Sequence, residues 1–328
     1  MTYLPFLSEL QERVRASNQE VIIRSDERWS LASSRAMGRL RGFGATLLIK
    51  SLRPIPTDYL ANAGGWLARK LGPFTSAHKI ARNNIAAAYP DTSLAWQNEV
   101  LDGMWDHLGR FAVEYVHLDR LWDYEPGKPP GRIAHDPPSI QRMIELHESG
   151  KPVLIYSAHL ANFELLGVAS AAFGVNFAVV YRKLNAGPLV DELFKLRSRL
   201  WGAPILLEHS RDTSFQMLDA LKGGTSLAML VDQYHPGGVD VTFFGRRCKA
   251  NPSLAKLARQ FELPIHGARV VRLPGHRFRT EFTEPIEPAR DPDGKINVQG
   301  TMQTITSQIE SWVREHPEQW LWAHRRWR

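Results

Sequence analysis

The chain has 328 residues, 43% hydrophobic and 23% charged, a balance that buries a core and excludes a disordered polypeptide. Its single cysteine, Cys248, excludes an internal disulfide and a cysteine-based zinc centre and suits a reducing compartment. The net charge of +7 falls entirely in the N-terminal quarter, where thirteen Lys and Arg face six Asp and Glu up to Arg82. Such a basic, aromatic-containing region suits an anionic partner: a membrane surface, a phosphorylated lipid, an acidic carrier protein or nucleic acid.

In chain order, residues 1 to about 40 read as a variable arm. The opening MTYLPFLSELQERVRASNQE carries charges too early, and lacks the small-residue cleavage site, for a secretory signal. A short apolar stretch from Gly42 to Ile49 is cut by Lys50, Arg53 and two prolines, too short for the ~20 residues that span a bilayer. From Gly38 to Leu71, Leu47, Leu48, Leu52, Leu60, Trp66 and Leu67 sit among Arg and Lys. Tyr59 and Trp66 favour a membrane–water boundary; an amphipathic helix packed on the protein fits the same pattern. Ser76–Tyr89 reads as a basic helix stopped by Pro90, and Ser93–Leu121 as a long helix in which Trp105 and His107 are packing residues.

Five prolines between Glu125 and Pro138 mark a linker. Beyond it strand and helix patterns alternate. Strands are predicted over Val153–Tyr156, Phe177–Tyr181, Pro204–Leu207 and Ser226–Val231, and helices over Ser139–Ser149, Phe163–Phe173, Leu189–Trp201 and Thr213–Leu221. Strands Val239–Phe244, Pro264–Arg272 and Phe278–Thr283, with a helix over Ser253–Phe261, extend the sheet, and a last helix carries Val298 to Val313. The pattern implies an α/β fold: a mostly parallel central sheet flanked by helices, with an N-terminal helical membrane-associating region. Residues 1–124 form that helical region and 139–328 the α/β region, the two reading as one continuous unit. The tail QWLWAHRRWR, with three tryptophans and three arginines, reads as a packed terminus with a solvated rim.

The organising stretch is VLIYSAHLANFE, Val153 to Glu164. A strand run delivers a small turn, then His159, with Glu164 five positions on. A neutral imidazole takes a proton from a hydroxyl near neutral pH, and a carboxylate behind it fixes the tautomer. In one continuous helix the two would lie roughly 140° apart, so His159 is expected in the turn, folded back over Glu164. A helix cap in which Glu164 answers the helix dipole fits the pair equally. Other polar residues also follow strands: Arg182 and Asn185 the second, Asp232 and Gln233 the fourth. Arg197 and Arg199 lie on the helix between the second and third. Strand ends of a parallel sheet border the ligand crevice, so these groups converge on one cleft. Each arginine taken singly also fits a surface ion pair. Gly-x-Ser-x-Gly is absent, so no nucleophile elbow is expected.

His159-Leu-Ala-Asn-Phe-Glu164, Tyr181-Arg182 with Asn185, Arg197-Ser-Arg199, Asp232-Gln233, Phe243-Phe244-Gly245 and Pro317 to Trp327 in that order resemble the lipid A biosynthesis acyltransferases. These are late-acting lauroyl and myristoyl transferases within the lysophospholipid acyltransferase superfamily. The resemblance, from Ala61 to Arg328, implies acyl transfer from acyl carrier protein to a hydroxyl of the Kdo-bearing lipid A precursor. It implies residence on the cytoplasmic face of the inner membrane, peripherally or through one N-terminal anchor. It implies His159 as general base and Glu164 as its orienting carboxylate, with Arg182, Asn185, Arg197, Asp232 and Gln233 binding substrate, and neither metal nor cofactor. No nucleic-acid-binding signature is present, so nucleic acid is not an expected partner. Ala161 stands where family members often have Gly, and Phe163 where Trp is common. A related enzyme acting on another lysolipid or glycophospholipid, or a non-catalytic membrane-associated relative, would share the fold.

Overall fold

The computed structural model describes residues 47, 49–134, 136–181, 197, 200–201, 205–208 and 213–327. The basic arm, Arg182, Asn185 and most of the helix expected over Leu189–Trp201 lie outside the described residues. Among the described residues, a helical turn over 49–52 precedes α1 (Thr57–Leu71), α2 (Ser76–Ala88), α3 (Leu94–Glu114) and the one-turn α4 (Leu118–Leu121). Helices α2 and α3 begin where the sequence supplies hydroxyl caps. Thr75 accepts from the His78 N–H at 3.4 Å and Ser93 from that of Trp96 at 3.2 Å, satisfying donors the first turn leaves unpaired. Helices α1 and α3 touch at glycines: a Cβ on Gly109 would stand 2.2 Å from the Gly64 carbonyl oxygen. Small residues there let the two backbones meet.

The proline-rich linker holds the two-residue β1 (Ile133–Ala134) and opens α5 (Pro137–Ser149). Pro137 and Pro138 occupy the first helical positions, where a missing N–H costs nothing. Then follow β2 (Leu154–Ser157), α6 (Leu165–Ala172), β3 (Phe177–Tyr181), β4 (Ile205–Glu208), α7 (Thr213–Lys222) and β5 (Ser226–Leu230). The chain continues with β6 (Val239–Phe243), β7 (Arg246–Ala250), α8 (Ser253–Phe261), β8 (Ile265–Leu273), β9 (Arg277–Pro285) and α9 (Val298–Glu315). Among the described residues seven strands order as β1-β9-β8-β2-β5-β3-β4. Every neighbouring pair is parallel except the β8–β9 hairpin. Strand β2 is buried along its whole length, as its unbroken apolar run requires of a strand covered on both faces.

The sheet departs from expectation at two places. Strand β1, drawn from the stretch read as a linker, joins it beside β9. Val239–Phe244 was expected to extend it, but β6 instead pairs antiparallel with β7, a strand the sequence pattern did not announce. Phe244 and Gly245 adopt φ of 51° and 68°, the left-handed pair that closes a tight hairpin. The outer edge of β6 is then satisfied by α9. Gln303 accepts from the Thr242 N–H at 2.7 Å and donates to its carbonyl at 3.0 Å, and Glu310 accepts from the Phe244 N–H at 2.6 Å. One core spans the linker: Ala81, Ile85 and Met104 from the helices pack in the same cluster as Leu154, Tyr156, Leu227, Ile309 and Trp320.

Candidate active site

Strands β2 and β5 run parallel with Ser157 opposite Leu230. Two residues beyond each stand His159 and Asp232, so the register alone sets them side by side at the carboxyl ends of adjacent strands. The Asp232 side chain is fully buried. Its Oδ1 lies 2.8 Å from His159 Nδ1, while Oδ2 accepts from the His159 backbone N–H at 2.9 Å and the Trp320 indole N–H at 2.8 Å. Nδ1 therefore carries the hydrogen, which leaves Nε2 as an acceptor. The Gln233 amide nitrogen stands 3.4 Å from it.

This corrects the expected geometry of Glu164. The imidazole's bonded carboxylate is Asp232, read from sequence as a substrate-binding residue. Glu164 already has helical backbone angles, φ −63° and ψ −24°, just ahead of α6, and its side chain turns to other partners. Its carboxylate lies 2.9 Å from Arg197 Nε, and the nearby Tyr115 hydroxyl works against the rise in its pKa. Its backbone carbonyl accepts from the Trp201 indole at 3.1 Å. The Arg197 guanidinium also stacks 3.9 Å over the Trp201 ring. Glu164 thus reaches His159 through charge alone.

The intervening loop is gripped from two sides. Ala161 sits at φ 47°, a left-handed conformation costly for any residue but glycine. The Leu321 N–H donates to the His159 carbonyl at 3.1 Å, and the Ala161 N–H to the Gln319 carbonyl at 2.9 Å, so the C-terminal tail runs along the loop as a strap. On the other side Asn162 donates to Glu114 at 2.9 Å, and Glu114 takes a two-pronged ion pair from Arg272 at 2.6 and 2.8 Å. Phe163 meets the His159 ring edge-on, centroids 5.1 Å apart, and is itself backed by Phe111 at 5.0 Å.

Burial opposes charge on the imidazole, but the charge and hydrogen bond of Asp232, aided by the charge of Glu164, outweigh it and raise the His159 pKa. Burial likewise pushes Asp232 upward. The imidazole's charge and its hydrogen bonds overcome this and hold the carboxyl well below the usual carboxylate range. For Glu164 burial wins over Arg197, Tyr115 and His159, and its pKa is raised.

Of the residues singled out in the sequence, His159, Asp232 and Gln233 come together, and Glu164 with Arg197 forms the adjoining ion pair. Sequence reasoning missed Trp320, Tyr115 and the Glu114–Arg272 pair. Asp232 was legible as a strand-end residue but not as the partner: past the predicted strand ends His159 stands three residues out and Asp232 one, and only the observed register makes the two offsets equal. Trp320 carried no such signal; it lies in a tail whose tryptophans suit packing.

An α/β sheet with an oriented imidazole at its carboxyl edge defines an acid–base site of the kind that activates a hydroxyl. Residues 34–328 match the bacterial lipid A biosynthesis acyltransferase family, and the chain belongs to that family. It is accordingly an acyltransferase of lipid A synthesis with a lipid acceptor. No curated protein matches the chain.

Proposed function

We propose that the chain moves a fatty acyl group from an acyl carrier protein thioester to a hydroxyl of a Kdo-bearing lipid A precursor, with His159 as general base. The observation that carries this is the 2.8 Å contact between His159 Nδ1 and Asp232, which turns a basic Nε2 outward. In the reaction Nε2 takes the hydroxyl proton as the oxygen attacks the thioester carbonyl. The tetrahedral intermediate collapses with loss of the thiolate, and the imidazolium returns the proton to sulfur. A thioester arrives activated, so neither covalent acyl-enzyme nor cofactor is called for. Asp232 orients the ring and stabilises its charged form; Glu164 adds charge and fixes Arg197, whose guanidinium suits a developing oxyanion or an acceptor phosphate. Arg182 and Asn185 belong to the same substrate-binding proposal.

We further propose that this happens at the cytoplasmic face of the inner membrane. Among the described residues no helix is long and apolar enough to cross a membrane. Helix α1 and the turn after it instead expose Tyr59, Trp66, Leu67, Leu71 and Phe74, residues suited to lying in the interface. The test is transfer from acyl carrier protein thioesters to the Kdo-bearing precursor by the purified chain. His159→Ala is expected to lose at least about 100-fold in turnover while its circular dichroism and melting are retained. Equal turnover in the variant would remove His159 as base, and transfer only to a lipid lacking Kdo would remove the acceptor.

A further inference from the structure

A buried carboxylate needs donors at both oxygens, and where those donors stand decides how it points. Asp232 Oδ1 faces the ring it serves. Oδ2 has two donors, the His159 backbone N–H and the Trp320 indole. The first belongs to the loop being positioned and gives no outside reference. The indole does, because it is fixed independently. Trp320 is fully buried and packs edge-on against Phe243 at 5.4 Å, Trp322 at 4.6 Å and His324 at 5.1 Å. Its backbone bridges Leu160, while its neighbours Gln319 and Leu321 bond Ala161 and His159. One residue thus meets the couple through its side chain, at the carboxylate, and through its main chain, beside the imidazole.

We infer that Trp320 is a positioning residue of the acyl transfer: its indole N–H sets the carboxylate of Asp232 so that Oδ1 fixes the His159 tautomer with Nε2 toward substrate. This rests on the reading of His159 as base. Trp320 is fully buried and offers no surface to acceptor or donor, so the effect belongs in kcat rather than KM. Removing the N–H also leaves more of the carboxylate's charge facing the ring. The acidic limb of kcat/KM, where His159 becomes protonated, then moves to higher pH, because the charged imidazole is better stabilised.

The test replaces Trp320 in the full-length chain by benzothienylalanine, which keeps the bicyclic shape and lacks the donor, with Trp320→Phe as a second variant. A roughly ten- to hundred-fold loss in kcat, as one charged hydrogen bond implies, with near-constant KM and an upward limb shift, is expected of both. In the resting enzyme the His159 Nδ1 proton resonance is expected to move. Wild-type kcat and limb, or a variant that only melts earlier with its limb unmoved, would overturn the assignment. His159→Ala run alongside separates the two levels. If it still turns over, the general-base reading falls; an unmoved ring resonance in the benzothienyl variant overturns the Trp320 link whether or not His159 is the base.

Discussion

His159 and Asp232 are shifted in opposite directions by one interaction, so their contributions to stability occupy opposite ends of the pH scale. The raised imidazole stabilises fully below its ordinary 6.5 and loses that contribution as pH climbs through its folded value. The depressed carboxyl stabilises above its ordinary 3.8 and loses its contribution as pH falls toward its folded value. The couple therefore stabilises most between those two ordinary values. Asp232→Asn is expected to lower the melting temperature most in that window. It should cut turnover by about 100-fold or more, with the acidic limb of kcat/KM moved downward because burial then acts on the ring without its counter-charge. Ala161 gives a second measurement. At φ 47° a β-branched side chain clashes with its own backbone, so Ala161→Val should cost about 2 kcal/mol or more in denaturant unfolding. Ala161→Gly should stay within about 1 kcal/mol of the parent, trading relieved strain against lost packing. The sequence made the histidine legible, since a strand ending in a small turn leaves few readings of His159. Its partner was misread because spacing along the chain favours Glu164, whereas the deciding distance runs across two parallel strands.

Elements were readable where one force decides them. Long apolar periodicity placed α9 and the start of α3 at its Ser93 cap, but ran α3 on to Leu121, whereas the helix ends at Glu114 and a 3-10 turn separates it from α4; buried runs bounded by Gly150, Gly174 and Gly223 placed the parallel strands within a residue or two. Strand β7 was not readable. Arg246-Arg247-Cys248-Lys249-Ala250 buries only Cys248 and Ala250, and it is a strand because a left-handed turn folds it onto β6. Close approach between helices is equally silent in hydropathy. Gly64 and Gly109 are placed so that a Cβ on either meets the other's carbonyl oxygen, at 2.6 and 2.2 Å. Gly109→Ala would add helix propensity of about 1 kcal/mol, yet the clash is with backbone, which yields only by moving α1 off α3. Net destabilisation of about 2 kcal/mol or more is expected from chemical denaturation; a variant at least as stable as the parent would mean the two helices are not in contact there.

For the molecule as a whole, the proposed function has the site meet an acceptor whose acyl chains lie in a bilayer, and on that proposal α1 supplies the docking surface. Tyr59 is 73%, Trp66 56% and Phe74 87% exposed, a cost in water for three large rings unless a surface receives them. Tyr59 and Trp66 stand seven residues apart and so share one face of the helix. Burying such a side chain is worth roughly 1.5–3 kcal/mol, about a tenfold or greater change in partitioning for each ring. Replacing Tyr59 and Trp66 with serine should therefore weaken binding to anionic vesicles by about 100-fold, while the basic N-terminal quarter keeps the residual binding sensitive to salt. Neither residue belongs to the His159 couple, so turnover of a short-chain, water-soluble acceptor should be preserved in the double variant even as transfer to the membrane-embedded one falls. If both rates fell together, α1 would be holding the site rather than delivering it to the bilayer, and the exposed rings would need another explanation.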